Sequence, residues 1–228
     1  MLTMNGNFYD QWKAEVCKRR NPQKASKMQD YLRNKFSFAG IMSQERSEIL
    51  KALKDLGINT LSAYQKRALV AQFWEDEYRE SQLLALEWMM QWNPKDYLES
   101  DLPFFEDLIL QKSWWDTVDG IAPNLIGKYA KRFPEKMKEV WNVWENHPSF
   151  WIRRSCLIFQ LRYRQDTDLA LLQRFIHSFK SDKEFFIQKA IGWSLREVSK
   201  WNPQWVKKVV EVEALHGLAR REAMKYVR

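Results

Sequence analysis

The chain has 228 residues, a formal net charge of +8 and a sequence pI of about 9.4. The length suits one large domain or two small ones, and the charge favours an anionic partner, with nucleic acid ahead of an acidic membrane surface. With only 7 glycines and 7 prolines, the chain lacks the many turns that a β-rich fold needs, so helices are favoured.

Several kinds of segment and site are not expected. The first ten residues do not combine a basic region with an apolar run, and no segment reaches the roughly 18 uninterrupted apolar residues of a membrane span. The two cysteines, Cys17 and Cys156, and the three histidines form no spaced ligand set. We therefore expect a cytoplasmic protein with reduced thiols, no metal and no cofactor.

Prolines and capping residues mark the expected beginnings of helices. In three dipeptides an asparagine can cap the helix while the proline takes the first helical position. Ser181 and Glu184 also have the spacing of a capping box ahead of an apolar run. The Xaa-Pro starts are predicted at Asn21-Pro22, Asn93-Pro94, Phe133-Pro134, His147-Pro148 and Asn202-Pro203.

Between these positions apolar residues recur with the 3.6-residue period of a helix, and no sustained alternation of period two occurs. Gly57 is expected to end the first of the apolar stripes. The stripes are Ile49, Leu50, Leu53 and Leu56; Leu84, Trp88 and Trp92; Met137, Val140, Trp141 and Trp144; and Leu169, Leu172, Ile176 and Phe179.

The rhythm of these stripes predicts an all-α fold. About a dozen helices fit the chain, and two helices with a turn occupy roughly the 40 residues of a HEAT or armadillo unit. No linker divides the sequence. We expect one domain over residues 1–228, an α-α superhelix (solenoid) of HEAT-like repeats with a curved face for an extended partner.

The segment 112–120 concentrates indoles and carboxylates. Trp115 and Asp119 are four residues apart, so a helix places them on one face, one turn from each other. Trp114 and Val118 fall on a neighbouring apolar face, which assigns one tryptophan to the core and the other to the carboxylate. Gly120 and the following Pro123 predict that this helix kinks or restarts.

Two later segments place cations beside apolar or aromatic residues. Arg154 has Phe150 and Ile158 as helical neighbours, so it is either a buried ion-pair partner or an anion-facing side chain. Trp193 lies between Lys189 and Arg196 at helical spacing. It fits a surface that meets phosphates, although packing over a neighbouring helix is slightly favoured by spacing alone.

Three stretches of the sequence together resemble the AlkD-type DNA alkylation repair glycosylases. They are residues 113–119, the segment that begins at Arg153-Arg154 and continues to Leu161, and residues 183–193. Their order and separations match the family. The similarity covers most of the chain, from Asn21 to Ala223.

The resemblance implies a superhelix of HEAT-like helical pairs whose concave basic face holds duplex DNA. Such enzymes are monofunctional glycosylases of base excision repair that hydrolyse the N-glycosidic bond of N3- and N7-alkylated purines, including 3-methyladenine and 7-methylguanine. They do so without drawing the damaged base into a pocket, unlike base-flipping enzymes. The resemblance assigns the catalytic trio to Trp115, Asp119 and Trp193. We expect the protein to be a monomer without a cofactor.

The resemblance also implies DNA contacts. Arg154 corresponds to an arginine that faces DNA, and Tyr31 to a further DNA-facing aromatic. The neighbouring cations that we expect to contact DNA are Arg153, Lys189 and Arg196. The chain departs from the family after Gly40-Ile41, where relatives often carry a proline and paired arginines and this sequence has a single Arg46. DNA contacts of the first helices therefore stay open.

Two other functions are compatible with parts of the sequence. Some relatives lack the catalytic aspartate and bind branched or damaged DNA without excision, whereas this chain keeps Asp119. A helical-repeat scaffold for proteins is the third possibility. The basic charge and the sparse acidic clusters argue against a scaffold.

Overall fold

The computed structural model describes residues 5–227, with side chains from Phe8 onward. This part of the chain contains 14 α-helices and no β-strand, and its one isolated β-bridge joins Ser37 and Tyr78. The all-α fold that the sequence predicts is confirmed. It follows from the scarcity of turn residues and from the recurrent apolar period of 3.6 residues.

The residues group into two compact units, one up to Trp92 and one from Asn93 onward. That they act as a single domain stays a prediction. The helices of the first unit are α1 (Asn5–Arg19), α2 (Pro22–Tyr31), α3 (Ser43–Asp55), α4 (Ala63–Glu75) and α5 (Arg79–Met89). The helices of the second unit are α6 (Asp101–Leu110), α7 (Trp115–Ile121), α8 (Gly127–Arg132), α9 (Pro134–Glu145), α10 (Phe150–Ile158), α11 (Leu169–Phe179), α12 (Phe185–Ser199), α13 (Pro203–Val212) and α14 (Gly217–Ala223).

Three predicted helix starts are confirmed. The Asn21 side chain accepts a hydrogen bond from the Lys24 backbone N–H at 3.0 Å, and the Asn202 side chain accepts one from the Trp205 N–H at 3.2 Å. Each satisfies a donor that the first turn leaves unpaired. Helix α9 begins at Pro134, as expected.

The start predicted at Asn93-Pro94 is confirmed only for a short 3₁₀ helix, Pro94–Asp96, where the Asn93 side chain accepts from the Lys95 N–H at 3.0 Å; α6 starts later at Asp101. The start predicted at His147-Pro148 was wrong, because α10 begins at Phe150. Proline fits the first turn of a helix but does not require one.

The predicted capping box was also wrong. Helix α12 begins at Phe185, with Glu184 as its N-cap and the Glu184 carboxylate accepting from the Phe186 N–H at 3.3 Å. Ser181 therefore lies before the helix. A nearer acceptor sets the start, because the cap must reach the second or third N–H of the helix.

The predicted apolar stripes are largely buried. Leu56 is the exception at 59% exposed, because it is the C-cap of α3 and lies beyond the helix's last turn. Val140 and Leu169 are half-buried. Gly57, with a φ of 94°, stops the stripe as predicted, since only glycine enters the left-handed region without steric cost.

Helix α7 neither ends nor restarts at Pro123. The chain passes through a π-helical segment, Ala122–Ile126, and continues as α8. The Gly127 N–H donates to the Ala122 carbonyl, five residues back, and the Asn124 side-chain amide donates to the Gly120 carbonyl at 2.7 Å. The wider turn accommodates a proline that has no N–H to donate.

Candidate active site

Helices α7, α10 and α12 of the second unit contribute side chains to one cavity of about 350 Å³. All three predicted catalytic residues line it, together with three of the predicted DNA-binding cations. The lining residues are Trp115, Asp119, Arg154, Phe185, Phe186, Lys189, Trp193 and Arg196.

Helix α7 presents Trp115 and Asp119 because its other face is held in the core. Val118 and Ile121 are completely buried there. Trp115 and Asp119, one turn apart, are half-buried and contribute to the cavity lining. The shared face that the four-residue spacing predicted is therefore confirmed.

Asp119 and Arg154 form a bidentate ion pair. Arg154 Nε donates to Asp119 Oδ1 at 2.8 Å, and Arg154 Nη2 donates to Asp119 Oδ2 at 2.8 Å. The remaining terminal nitrogen of Arg154 donates to the Phe186 carbonyl. Arg154 is only 2% exposed. Of the two roles that the sequence left open for Arg154, the structure shows the buried ion pair.

The surroundings of Asp119 act on its pKa in opposite directions. Burial raises the pKa of Asp119, and the nearby Asp116 charge adds to this rise. The hydrogen bonds and the positive charge of Arg154 oppose the rise by stabilising the carboxylate. Arg154 thus favours the ionised form at a site where burial favours the neutral acid.

A cluster of aromatic side chains packs around Phe186, one of the residues that line the cavity. Phe186 packs against Trp114 and Trp151, with ring centroids 5.4 and 4.9 Å apart, and lies parallel to Phe150 at 6.2 Å. Trp114, which the sequence assigned to the core beside Val118, is instead the half-buried residue just before α7, and its ring packs against Trp151 and Phe186. Such contacts fix ring positions through large shared surfaces.

Lys189 and Arg196 share one acidic partner. Lys189 Nζ lies 2.8 Å from Glu222 Oε1, and Arg196 Nη1 donates to Glu222 Oε2. Glu222 is not among the site residues predicted from the sequence; it lies on α14, 33 and 26 positions from its partners. No local spacing connects residues that far apart in sequence.

Gly192 permits α12 and α14 to approach closely. A Cβ atom at this position would lie 2.5 Å from Glu222 Cβ and 3.0 Å from the Ala219 carbonyl oxygen. Both distances are too short for ordinary contact. A glycine inside a helical pattern often marks close packing against a neighbouring element. Gly192 was the one residue of the sequence that indicated the close contact between α12 and α14.

Two of the predicted DNA contacts lie outside the cavity lining. Arg153 donates to the carbonyls of His147 and Pro148, at 2.7 and 3.1 Å, and to the Asp182 carboxylate at 3.2 Å. Tyr31 ends α2 in the first unit and is 73% exposed. Direct contact of either residue with DNA stays a prediction.

Arg46, which stands where relatives often carry paired arginines, is buried in the first unit. It is 7% exposed, and its Nη2 lies 2.6 Å from Glu87 Oε1. It also donates to the Ile41 carbonyl at 3.1 Å. The structure therefore accounts for Arg46 by contacts within the protein.

Between residues 5 and 227, no group of three or more His, Cys, Asp or Glu side chains is placed to hold a metal ion. Within the same residues, no helix has both the length and the apolar character needed to cross a bilayer. The two cysteines are free thiols, Cys17 exposed and Cys156 buried.

Comparisons with known proteins agree with the all-α fold and place the chain among DNA alkylation repair enzymes. A family model described as DNA alkylation repair enzyme matches residues 12–227. A solved structure of a predicted DNA alkylation repair enzyme from Enterococcus faecalis is 33% identical and superposes with a TM-score of 0.84. The match covers 91% of this chain and 96% of that one. A search of curated proteins found no match.

Proposed function

The chain belongs to the family of DNA alkylation repair enzymes, and on that premise we propose that it is a monofunctional DNA glycosylase. It would hydrolyse the N-glycosidic bond of cationic N3- or N7-alkylated purines, such as 3-methyladenine and 7-methylguanine, in double-stranded DNA. The family resemblance supports a reaction in which the damaged base is not flipped into a pocket.

The observation that carries this proposal is the Asp119–Arg154 pair in a cavity also lined by Trp115 and Trp193. Among the described residues that line the cavity, Asp119 is the single carboxylate. Ordinary glycosidases use two carboxyl groups, one of which protonates the leaving group. An alkylated purine is already cationic and leaves without that acid, so a single carboxylate suits it.

Asp119 is the residue that faces the developing charge on the sugar. A carboxylate has about four lone-pair positions, and Arg154 occupies one on each oxygen. The others can stabilise an oxocarbenium-like sugar and orient or deprotonate the attacking water. Arg154 holds the carboxylate in a fixed orientation for that role.

The two indoles supply contacts to a positively charged nucleotide. Trp115 and Trp193 are both half-buried and both line the cavity. A cation over an indole face gains about 0.5–2 kcal/mol, depending on desolvation. Such contacts distinguish a cationic lesion from a neutral base modestly, which suits a leaving group that is intrinsically labile.

The variant Asp119→Asn tests this proposal, because it removes the charge and keeps the shape. We expect the release of 7-methylguanine from methylated duplex DNA, measured under single-turnover conditions, to fall by roughly 10²- to 10⁴-fold. Binding to undamaged duplex should persist. Asp116→Asn is the matched control on the same helix, and its release rate should stay within about twofold of wild type.

Wild-type release by Asp119→Asn would contradict the assigned role. Absence of release by the unmodified protein, combined with tight binding to branched DNA, would instead favour a non-catalytic DNA-binding function.

A further inference from the structure

We propose that Glu222 is a positioning residue that fixes Lys189 and Arg196 beside Trp193 and sets the net charge that DNA meets at this edge of the cavity. The inference deepens the proposed function and rests on it. It concerns a carboxylate on α14 that pairs with two cations of the cavity lining but is not itself among the lining residues.

The two ion pairs use separate oxygens of one carboxylate. Glu222 Oε1 lies 2.8 Å from Lys189 Nζ, and Glu222 Oε2 pairs with Arg196 Nη1. Lys189 and Arg196 are seven residues apart, about 10.5 Å along α12, and Trp193 lies between them in sequence. Glu222 therefore pairs with side chains from two successive turns of α12, the helix that carries Trp193.

The pairs leave both cations able to bind an anion. An ammonium has three N–H donors and a guanidinium has five, and Glu222 accepts one from each of them. The Lys189 side chain is 37% exposed, and both cations line the cavity. Phosphate oxygens can thus be bound by donors that are already held in place.

Glu222 is held firmly and is charged. Gly192 brings α12 against α14 so closely that a Cβ there would collide with the Glu222 stem. The hydrogen bond from Lys189 lowers the pKa of Glu222, and the nearby charges of Lys189, Arg196 and Lys225 lower it further against the effect of burial. The carboxylate is therefore ionised at neutral pH.

Glu222 lowers the net positive charge that DNA meets at the cavity. The three cations of the cavity lining, Arg154, Lys189 and Arg196, are paired with two carboxylates, Asp119 and Glu222, so these five side chains together carry one net positive charge. Cations attract the phosphate backbone. They also repel a nucleotide whose base carries a positive charge, so partial neutralisation by Glu222 favours the lesion.

The first test replaces the carboxylate by its neutral isostere, Glu222→Gln. Binding to undamaged duplex, followed by fluorescence anisotropy between 50 and 200 mM salt, should depend more steeply on salt. The log–log slope should increase by about one, because one more net positive charge meets the phosphates. Release of 7-methylguanine at saturating protein should fall roughly tenfold, because the cations and Trp193 are less precisely held.

Glu222→Asp separates position from charge. The shorter side chain keeps the negative charge but cannot reach both partners, so the salt slope should stay near wild type while release falls. Glu213→Gln is the matched control, since Glu213 also bridges two basic side chains, His177 and Lys180, away from the cavity lining. Its salt slope and release rate should equal those of wild type.

Wild-type values of both the slope and the release rate in Glu222→Gln, with melting behaviour confirming a folded protein, would overturn the proposal. So would equal effects of Glu222→Gln and Glu213→Gln. If the unmodified protein releases no base, the proposed glycosylase function fails. The salt slope of Glu222→Gln still tests the charge-setting role in that case.

Discussion

A buried arginine holds the candidate catalytic carboxylate through both of its oxygens. The spacing of Trp115 and Asp119 predicted their shared face, because four residues make about one helical turn. The same spacing could not pair Asp119 with Arg154, which lies 35 positions away on another helix. The apolar neighbours of Arg154 fitted an ion pair and an anion contact equally well, and only tertiary packing decided between them.

Arg154→Met tests the influence of the arginine on the Asp119 proton. The pKa of Asp119 is already raised by burial, so activity that needs the carboxylate should decline as the pH falls through a midpoint above the ordinary carboxyl range. Removing Arg154 removes the groups that lower this pKa, so the midpoint should move to higher pH. The pH dependence of single-turnover release, corrected for spontaneous depurination, measures it.

Arg154→Lys is the graded comparison. A lysine keeps the charge but lacks the two-pronged geometry of the guanidinium, so its midpoint should lie between those of wild type and Arg154→Met. Loss of one partner of a buried pair costs up to about 3–5 kcal/mol, so rates must be measured well below each variant's melting temperature. Identical acid limbs in all three proteins would show that Arg154 does not act through Asp119.

At the level of elements, helix identity was more predictable than helix boundaries. The apolar stripes identified the buried faces of α3, α5, α9 and α11, because side-chain period reports burial directly. The starts of α10 and α12 were misplaced, since each depends on which nearby oxygen reaches the first turn. The π segment after Ile121 was not predicted, because a proline signals an interruption without saying how the backbone resolves it.

A second bridging carboxylate belongs to Glu213, the C-cap residue of α13. Three hydrogen bonds, from Gln173, His177 and Lys180, outweigh burial and lower the pKa of Glu213 from 4.5 to about 2. A carboxyl group with a lowered pKa binds its proton more tightly in the unfolded chain. Its contribution to stability is therefore complete above pH 4.5 and is lost as the pH falls towards 2.

Glu213→Gln should reduce the free energy of unfolding at pH 7 by roughly 1–3 kcal/mol, because the charge-assisted hydrogen bonds weaken. The difference between wild type and variant should shrink between pH 4.5 and pH 2, as the wild-type carboxylate becomes protonated. Urea unfolding at pH 7, 5 and 3 measures this difference. A difference that is the same at all three values would show that Glu213 acts through shape alone.

For the whole molecule, charge and helical rhythm indicated the class of partner and the fold, whereas the reaction came from similarity to a family. A net charge of +8 is compatible with many anionic partners. The family match over residues 12–227 narrows them to DNA, in the repair of alkylated DNA. The grouping of the chain into two compact units depends on long-range contacts that no local pattern contains.

The central claim is glycosylase chemistry, and the products of the unmodified protein test it most directly. Methylated duplex DNA is incubated with the protein, and the soluble fraction and the strand are analysed separately by mass spectrometry. We predict free 7-methylguanine or 3-methyladenine together with an unbroken strand that alkali cleaves at abasic sites. Methylated bases that all remain in the strand, or unmethylated guanine left in their place, would contradict the claim.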